Sequence, residues 1–213
     1  MSALTIYDLD GTLLARATYT PFLLFAARRL APWRLMLVPL WGLLMAAHTA
    51  GLIGRTALKH AGMRLLVGSP PLVRMDAIAA EFAAIRLADL QPGARAALER
   101  DRRERRAVVI ATAAYGFYAR HIAAGLAVGH LVASNWETHG PQQPNCYGPE
   151  KLARVERWLA EHGHRRVPLR FYSDSFADAP LLDRAEEAIF VTRNPRKAAR
   201  ALARGWQVAD FSR

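Results

Sequence analysis

The chain opens with a short apolar run that ends in Asp8-Leu9-Asp10-Gly11-Thr12. Two carboxylates this close together at the end of a buried strand are costly unless a cation or a substrate charge offsets them. Alternate residues of an extended segment point the same way. The spacing therefore predicts that Asp8 and Asp10 address one site at the carboxyl edge of a sheet.

The rest of the chain supplies such a sheet. Leu4 to Leu9 reads as the first strand, followed by a Gly-Thr turn and a mostly helical block from about Thr20 to Leu90, broken near Pro32, Pro39 and Ser69-Pro70-Pro71. Arg106 to Thr112 reads as a second buried strand, His121 to Ala124 as the start of a short helix, and Leu126 to Ala133 as a further strand. Tyr147-Gly148-Pro149 turns into a helix over Glu150 to Glu161. Val167 to Tyr172 and Ala188 to Val191 are strands on either side of a turn and short helix, and Arg196 to Arg204 is the last helix. Alternating strands and helices predict an α/β fold: a three-layer, Rossmann-like parallel sheet core with a helical cap inserted after the first strand. The expected core is residues 1–16 and 91–213, with the cap at 17–90.

Within the cap lie 20 residues without a formal charge, LMLVPLWGLLMAAHTAGLIG, between Arg34 and Arg55. That is the length of a membrane-spanning helix, although Pro39, Gly42 and His48 interrupt it. A single crossing at 35–54 would place Asp8 and any partner after Arg106 on opposite sides of a bilayer, so a single span and a shared site exclude each other. Three arrangements stay open: a hairpin with Phe22 to Leu30, a helix lying in the membrane interface, and burial within the cap. Arg28, Arg29, Arg34 and Arg55 at its borders suit anionic headgroups.

The formal charge is +11 over 213 residues, which favours an anionic partner. Specific nucleic-acid binding is not expected, because Asp101 and Glu104 interrupt the run of Arg100, Arg102, Arg103, Arg105 and Arg106, and no aromatics are interspersed. A lone cysteine, Cys146, permits no internal disulfide. With two acids and no basic residue before Arg16, the N-terminus does not read as a cleaved signal, so a cytoplasmic location is expected.

Further polar residues fall at strand ends: Thr112, Lys151 at a helix start, Asp174 and Asp178. With Asp8 and Asp10 they make four acids, a hydroxyl and an amine, an inventory suited to a divalent cation and a phosphoryl group. Taken singly, Thr112 could cap a helix, Lys151 could face solvent, and Asp174 and Ser175 could cap the next helix.

Taken together, these residues resemble the motifs of the haloacid-dehalogenase-like superfamily, in its phosphoserine-phosphatase-like branch. The D-x-D-G-T motif matches Asp8 to Thr12, the second motif Thr112, the third Lys151 in GPEKLARVERWL, and the fourth Tyr172-Ser173-Asp174-Ser175-Phe176-Ala177-Asp178. Asn194-Pro195 and Gly205-Trp206 echo later phrases of the branch. The resemblance implies that Asp8 is a nucleophile forming an aspartyl-phosphate and that Asp10 is the general acid and base. It implies Mg²⁺ held by the Asp8 carboxylate, the Asp10 carbonyl and Asp174, and phosphate gripped by Thr112 and Lys151. Gly11 and Asp178 would support the site.

The implied substrate is a phosphorylated small molecule or a phospholipid. The branch includes a phosphatidylglycerophosphate phosphatase with an early hydrophobic segment in its cap, so a lipid phosphate is one expectation, with peripheral or hairpin contact at the cytoplasmic face of the inner membrane. A soluble amino-acid or sugar phosphatase, or a non-enzymatic basic membrane or nucleic-acid binder, are the alternatives.

Overall fold

The structure, a computed structural model, describes residues 3–136 and 143–213. Its sheet consists of β1 (Leu4–Tyr7), β2 (Ala107–Tyr115), β3 (His130–Ser134), β4 (Leu169–Ser173), β5 (Glu187–Val191) and β6 (Gln207–Ala209). All neighbours pair in parallel, in the order β3-β2-β1-β4-β5-β6. Leu4 and Ile6 face one side with Val109, Phe171 and Phe190, whereas Tyr7 faces the other with Ile110, Tyr172 and Ile189. Both faces are covered, which explains why these strands read as nearly continuous apolar runs.

One covering layer is α7 (Pro149–Glu161), α8 (Ala179–Arg184) and α9 (Pro195–Leu202). The Asn194-Pro195 phrase starts α9: the Asn194 side-chain oxygen accepts the N–H groups of Arg196 and Lys197 at 2.9 and 3.2 Å. The other layer holds α5 (Pro92–Arg103) and α6 (Gly116–Gly125), and two helices of the insertion, α1 (Tyr19–Leu30) and α4 (Leu72–Arg86), continue its apolar core, with α4 packed on α6. Two more helices, α2 (Val38–Thr49) and α3 (Arg55–Gly62), complete the block between β1 and β2. The chain leaves and re-enters the core across a narrow neck, where Ala15 N–H donates to the Asp89 carbonyl at 2.9 Å and Gln91 N–H to the Leu13 carbonyl at 3.0 Å.

The chain reverses direction across the sheet at β1. From there β2 and β3 add on one side and β4 to β6 on the other, so a crevice opens above the carboxyl ends of β1 and β4. The strand expected from Leu126 begins only at His130. Leu126, Ala127 and Val128 close α6 instead, their N–H groups bonding back to Ile122, Ala124 and Ala123. Strand β6, the full length of α6 and helix α5 were not expected from the sequence; β6 is too short to show a period, and the buried stripe of α5, Ala94, Ala97, Leu98 and Asp101, has a single large apolar residue among arginines.

The uncharged run at 35–54 is divided. A 3₁₀ turn (Pro32–Leu37) leads into α2, which ends before Gly51 at φ +77°. Twelve residues of helix span about 18 Å, and among the described residues no helix is long and apolar enough to cross a membrane. The Phe22 to Leu30 stretch does not pair with it as a spanning hairpin, because Phe22, Leu23, Ala26 and Ala27 of α1 are buried in the core.

One buried charge ties the sheet to α5. Asp101 is fully buried, accepts from the Tyr7 hydroxyl at 2.6 Å and pairs with Arg170 at 2.8 Å. Replacing Asp101 with Ala leaves the buried Tyr7 phenol without its acceptor and removes one of three acidic partners of Arg170, which keeps Glu187 and Glu104. The expected loss is about 1–3 kcal/mol, against about 0–1 kcal/mol for Glu81→Ala, which breaks the exposed pair with Arg29; urea unfolding midpoints of the two variants check this.

Candidate active site

The acidic pair sits where the sheet topology opens. Asp8 follows β1 directly, and its N–H donates to the Tyr172 carbonyl at 2.9 Å. The register pairs Tyr7 with Ile110 on one side and Tyr172 on the other. Thr112 and Asp174 therefore flank Asp8 on neighbouring strands, each within about one strand spacing, about 4.8 Å, to the side. Lys151 comes from the first turn of α7 beneath them.

Lys151 connects the acids. Its ammonium is 1% exposed and donates to Asp8 Oδ1 at 3.0 Å and to Asp178 Oδ2 at 2.6 Å. The Ser173 hydroxyl donates to the same Asp178 oxygen at 2.7 Å. Asp174 is held by Thr12: its N–H donates to Thr12 Oγ1 at 3.0 Å, and that hydroxyl lies 3.4 Å from Asp174 Oδ1. The Asp10 carboxylate turns instead toward Thr18, accepting from its N–H at 3.1 Å and its hydroxyl at 3.2 Å. Of this residue only the main-chain carbonyl is left to face a metal beside Asp8.

Thr112 does not cap a helix, because β2 continues through Tyr115 and α6 starts at Gly116. It sits at an irregularity in the β2–β3 pairing, where its oxygen accepts the Ala114 N–H at 3.0 Å. With that acceptor used, the hydroxyl proton is free to be given to an oxyanion. Ser175 does cap, accepting from Ala177 N–H at 3.3 Å.

Gly11 is required by contact as well as by conformation. Its φ is +82°, and a Cβ there would lie 2.6 Å from the Asp174 Cγ. The glycine lets the loop turn with the Asp174 carboxylate resting against its backbone. From the neck, Gln91 Nε2 donates to the carbonyls of Gly11 and Thr12 at 3.2 and 2.7 Å.

The electrostatics are unbalanced. Burial pushes Asp8 up from the ordinary 3.8 to about 7; Lys151 opposes this, while Asp178 and Asp174 reinforce it. Burial also raises Asp174 against the pull of Lys197, and raises Asp10 against its Thr18 hydrogen bonds and the charges of Lys59 and Arg86. Burial would lower Lys151, but Asp8 and Asp178 outweigh it and hold the ammonium above its ordinary range. Asp178 Oδ1, moreover, is buried without a hydrogen-bond partner among the described residues.

Among the described residues no three His, Cys, Asp or Glu side chains converge as a metal cluster. The set implied here needs only two carboxylates, of Asp8 and Asp174, and one carbonyl. Surplus negative charge, an all-oxygen donor set and an orphaned carboxylate oxygen positioned for a metal-bound water fit a hydrated Mg²⁺.

Lys59 was not among the residues expected at the site. From α3 it buries its ammonium against the core, donating to the Ala113 carbonyl at 2.7 Å and Asn145 Oδ1 at 2.9 Å, 3.9 Å from the Tyr115 ring centre. Burial, then the charge of Arg55, lowers it to about 7. One compositional signal was available: only three of the 29 basic residues are lysines, at 59, 151 and 197. Lys59 acts electrostatically on Asp10, Lys197 on Asp174, and Lys151 on both Asp8 and Asp174. A cavity of about 490 Å³ meets the site at Gly11 and Asp174 and is lined also by Arg16, Gln91, Arg193 and Lys197.

A family model described as haloacid dehalogenase-like hydrolase matches residues 5–183. A protein of Bordetella pertussis Tohama I, titled as of unknown function, is 27% identical with a TM-score of 0.83, covering 99% of this chain and 100% of that one. Two further structures share the fold. A haloacid dehalogenase family hydrolase of Salmonella enterica is 14% identical (TM-score 0.72, 99% and 69% covered), and a phosphoserine phosphohydrolase-like protein of Francisella tularensis is 13% identical (TM-score 0.61, 99% and 96% covered). A curated relative, the inhibition of morphological differentiation protein of Streptomyces azureus, is 39% identical over 70 residues. That match spans 32% of this chain and about a quarter (24%) of the relative.

Gly11→Ala is expected to displace Asp174 and to abolish the rise in melting temperature caused by Mg²⁺, as read by thermal shift. In the wild type that rise depends on pH. An acid raised from 3.8 to about 7 in the folded chain favours folding when protonated, so the metal-free fold loses stability between those values as pH increases. Mg²⁺ relieves the charged state, and its stabilisation is expected to be larger at about pH 8 than at about pH 5.

Proposed function

The chain belongs to the haloacid dehalogenase-like hydrolase family, and from that premise we propose that it is a Mg²⁺-dependent phosphomonoester hydrolase acting on small polar phosphate esters through Asp8. The observation that carries this is the buried ammonium of Lys151, shared between Asp8 and Asp178 with Asp174 and Thr112 on the flanking strands.

Lys151 fixes the Asp8 carboxylate through Oδ1. Asp8 attacks phosphorus, forming an oxygen–phosphorus bond as the ester oxygen departs. Asp10 gives that oxygen its proton; burial keeps the Asp10 carboxyl protonated to higher pH than usual, which suits an acid. Asp10 then takes a proton from the water that attacks the aspartyl-phosphate, returning Asp8 and releasing inorganic phosphate. The Thr112 hydroxyl and Lys151 hold the phosphoryl oxygens throughout. Asp8, Asp174 and the Asp10 carbonyl would hold Mg²⁺, which when bound would supply charge neutralisation for the phosphoryl group.

The substrate follows from what lines the approach. The cavity at Asp174 carries Arg16, Arg193, Lys197, Gln91 and Ser212, which suits a compact anion rather than acyl chains. None of its lining residues belongs to the apolar run at 35–54. Asp8 is 7% exposed and lies outside that lining, which meets the site at Gly11 and Asp174.

Mg²⁺-dependent phosphate release from an aryl phosphate is expected for the wild type, with a loss of at least about a thousandfold in Asp8→Asn. Equal release by both would overturn the assignment. Across a panel, soluble amino-acid, glycerol and sugar phosphates are expected to exceed a lipid phosphate in mixed micelles in kcat/KM.

A further inference from the structure

Charge is spread unevenly along the chain. No Asp or Glu lies between Asp10 and Asp76, and the same stretch holds seven arginines and Lys59. It is also where the largest apolar side chains face outward. Trp33, Met36, Leu40 and Leu43 follow one another at intervals of three and four residues through the 3₁₀ turn and α2, and are 61%, 82%, 46% and 67% exposed. Leu52, just past the helix, is 78% exposed.

The opposite stripe of the segment packs normally. Leu37 and Leu44 pack on the core beside Trp41, which is buried. A surface helix ordinarily turns charged residues outward; α2 has none to turn. A contiguous exposed apolar stripe of this kind marks a contact surface.

The surroundings indicate what covers it. Arg34 lies 5.1 Å from the Trp33 ring centre and donates to the Arg64 and Leu65 carbonyls at 2.8 Å, which sets a cation at the edge of the stripe. Arg28, Arg55 and Arg64 are exposed nearby in sequence. The acids of α4 are engaged, Glu81 with Arg29 and Asp76 with Arg120 and His121. A second copy would bring the same cations face to face, which opposes dimerisation through this surface. An anionic bilayer offers headgroups to the arginines and an apolar layer to the stripe. At about 18 Å, α2 is too short to span the roughly 30 Å hydrocarbon core, so the contact is interfacial.

We propose that Trp33, Met36, Leu40, Leu43 and Leu52 dock the helical insertion into the interface of a membrane rich in anionic phospholipid. The contact concerns where the protein sits, not the ester it cleaves, since none of these residues lines the cavity at Asp174.

Co-sedimentation with vesicles of equal parts phosphatidylglycerol and phosphatidylcholine, against phosphatidylcholine alone, tests it without relying on turnover. Binding is expected for the anionic vesicles only and is expected to weaken at high salt. Leu40→Ser/Leu43→Ser is expected to lower partitioning by about tenfold or more, with melting temperature and aryl phosphate hydrolysis unchanged. Brominated lipid gives a second readout in the native fold: quenching of tryptophan emission on binding, lost in Trp33→Phe. Absence of wild-type binding to anionic vesicles would overturn the proposal. So would binding with no Trp33-dependent quenching, or a dimer abolished by the double substitution without any vesicle association.

Discussion

The ammonium of Lys151 is the contact on which the carboxyl edge of this sheet depends. Asp8 and Asp178 are both nearly buried, and each takes one hydrogen bond from it. Without that shared cation, adjacent buried carboxylates would repel with no compensation. With it they are held in place yet still undercharged on the positive side, since Asp174 adds its own field to Asp8. A fold that buries two acids around one lysine, with a third beside them, has a standing attraction for a dication, and the same attraction draws a phosphoryl group.

Closure of the helical insertion uses related physics on the other side of the site. Lys59 reaches from α3 to the carbonyl one residue past Thr112, and Asn145 accepts a second bond from it. A lysine serves better than arginine here, because a compact ammonium fits between a carbonyl and a ring face and titrates when buried. The neck at 13–15 and 89–91 fixes the base of the insertion, and Gln91 links it to the motif loop. Movement of the insertion therefore bears directly on the loop that carries Gly11.

Much of the core was legible because its strands are buried on both faces. Leu4 to Tyr7 and Leu169 to Ser173 appear as apolar runs followed directly by Asp8 and Asp174, and the apolar run of Ala107 to Tyr115 carries Thr112 within its length. Strand β6 was not legible, since three edge residues with partial burial leave no period to detect. Thr112 looked equally like a helix cap, because a bulge within a strand has no signature of its own. Lys59 was missed for a different reason: nothing in α3 distinguishes a lysine turned inward from one turned to water.

The alternation of the central strands with helices and the spacing of Asp8, Asp10, Thr112, Lys151, Asp174 and Asp178 belong to the sequence alone, because apolar runs and turn chemistry are local. So does the uncharged stretch between Arg34 and Arg55. Only the tertiary structure decided that Asp10 turns its carboxylate to Thr18, that Lys151 bridges residues 143 and 27 positions away, and that the apolar stretch breaks into a short helix with one stripe inward and one outward. Those outcomes rest on contacts between distant segments. Which neighbour a side chain meets there is set by how layers pack, a quantity no local pattern contains.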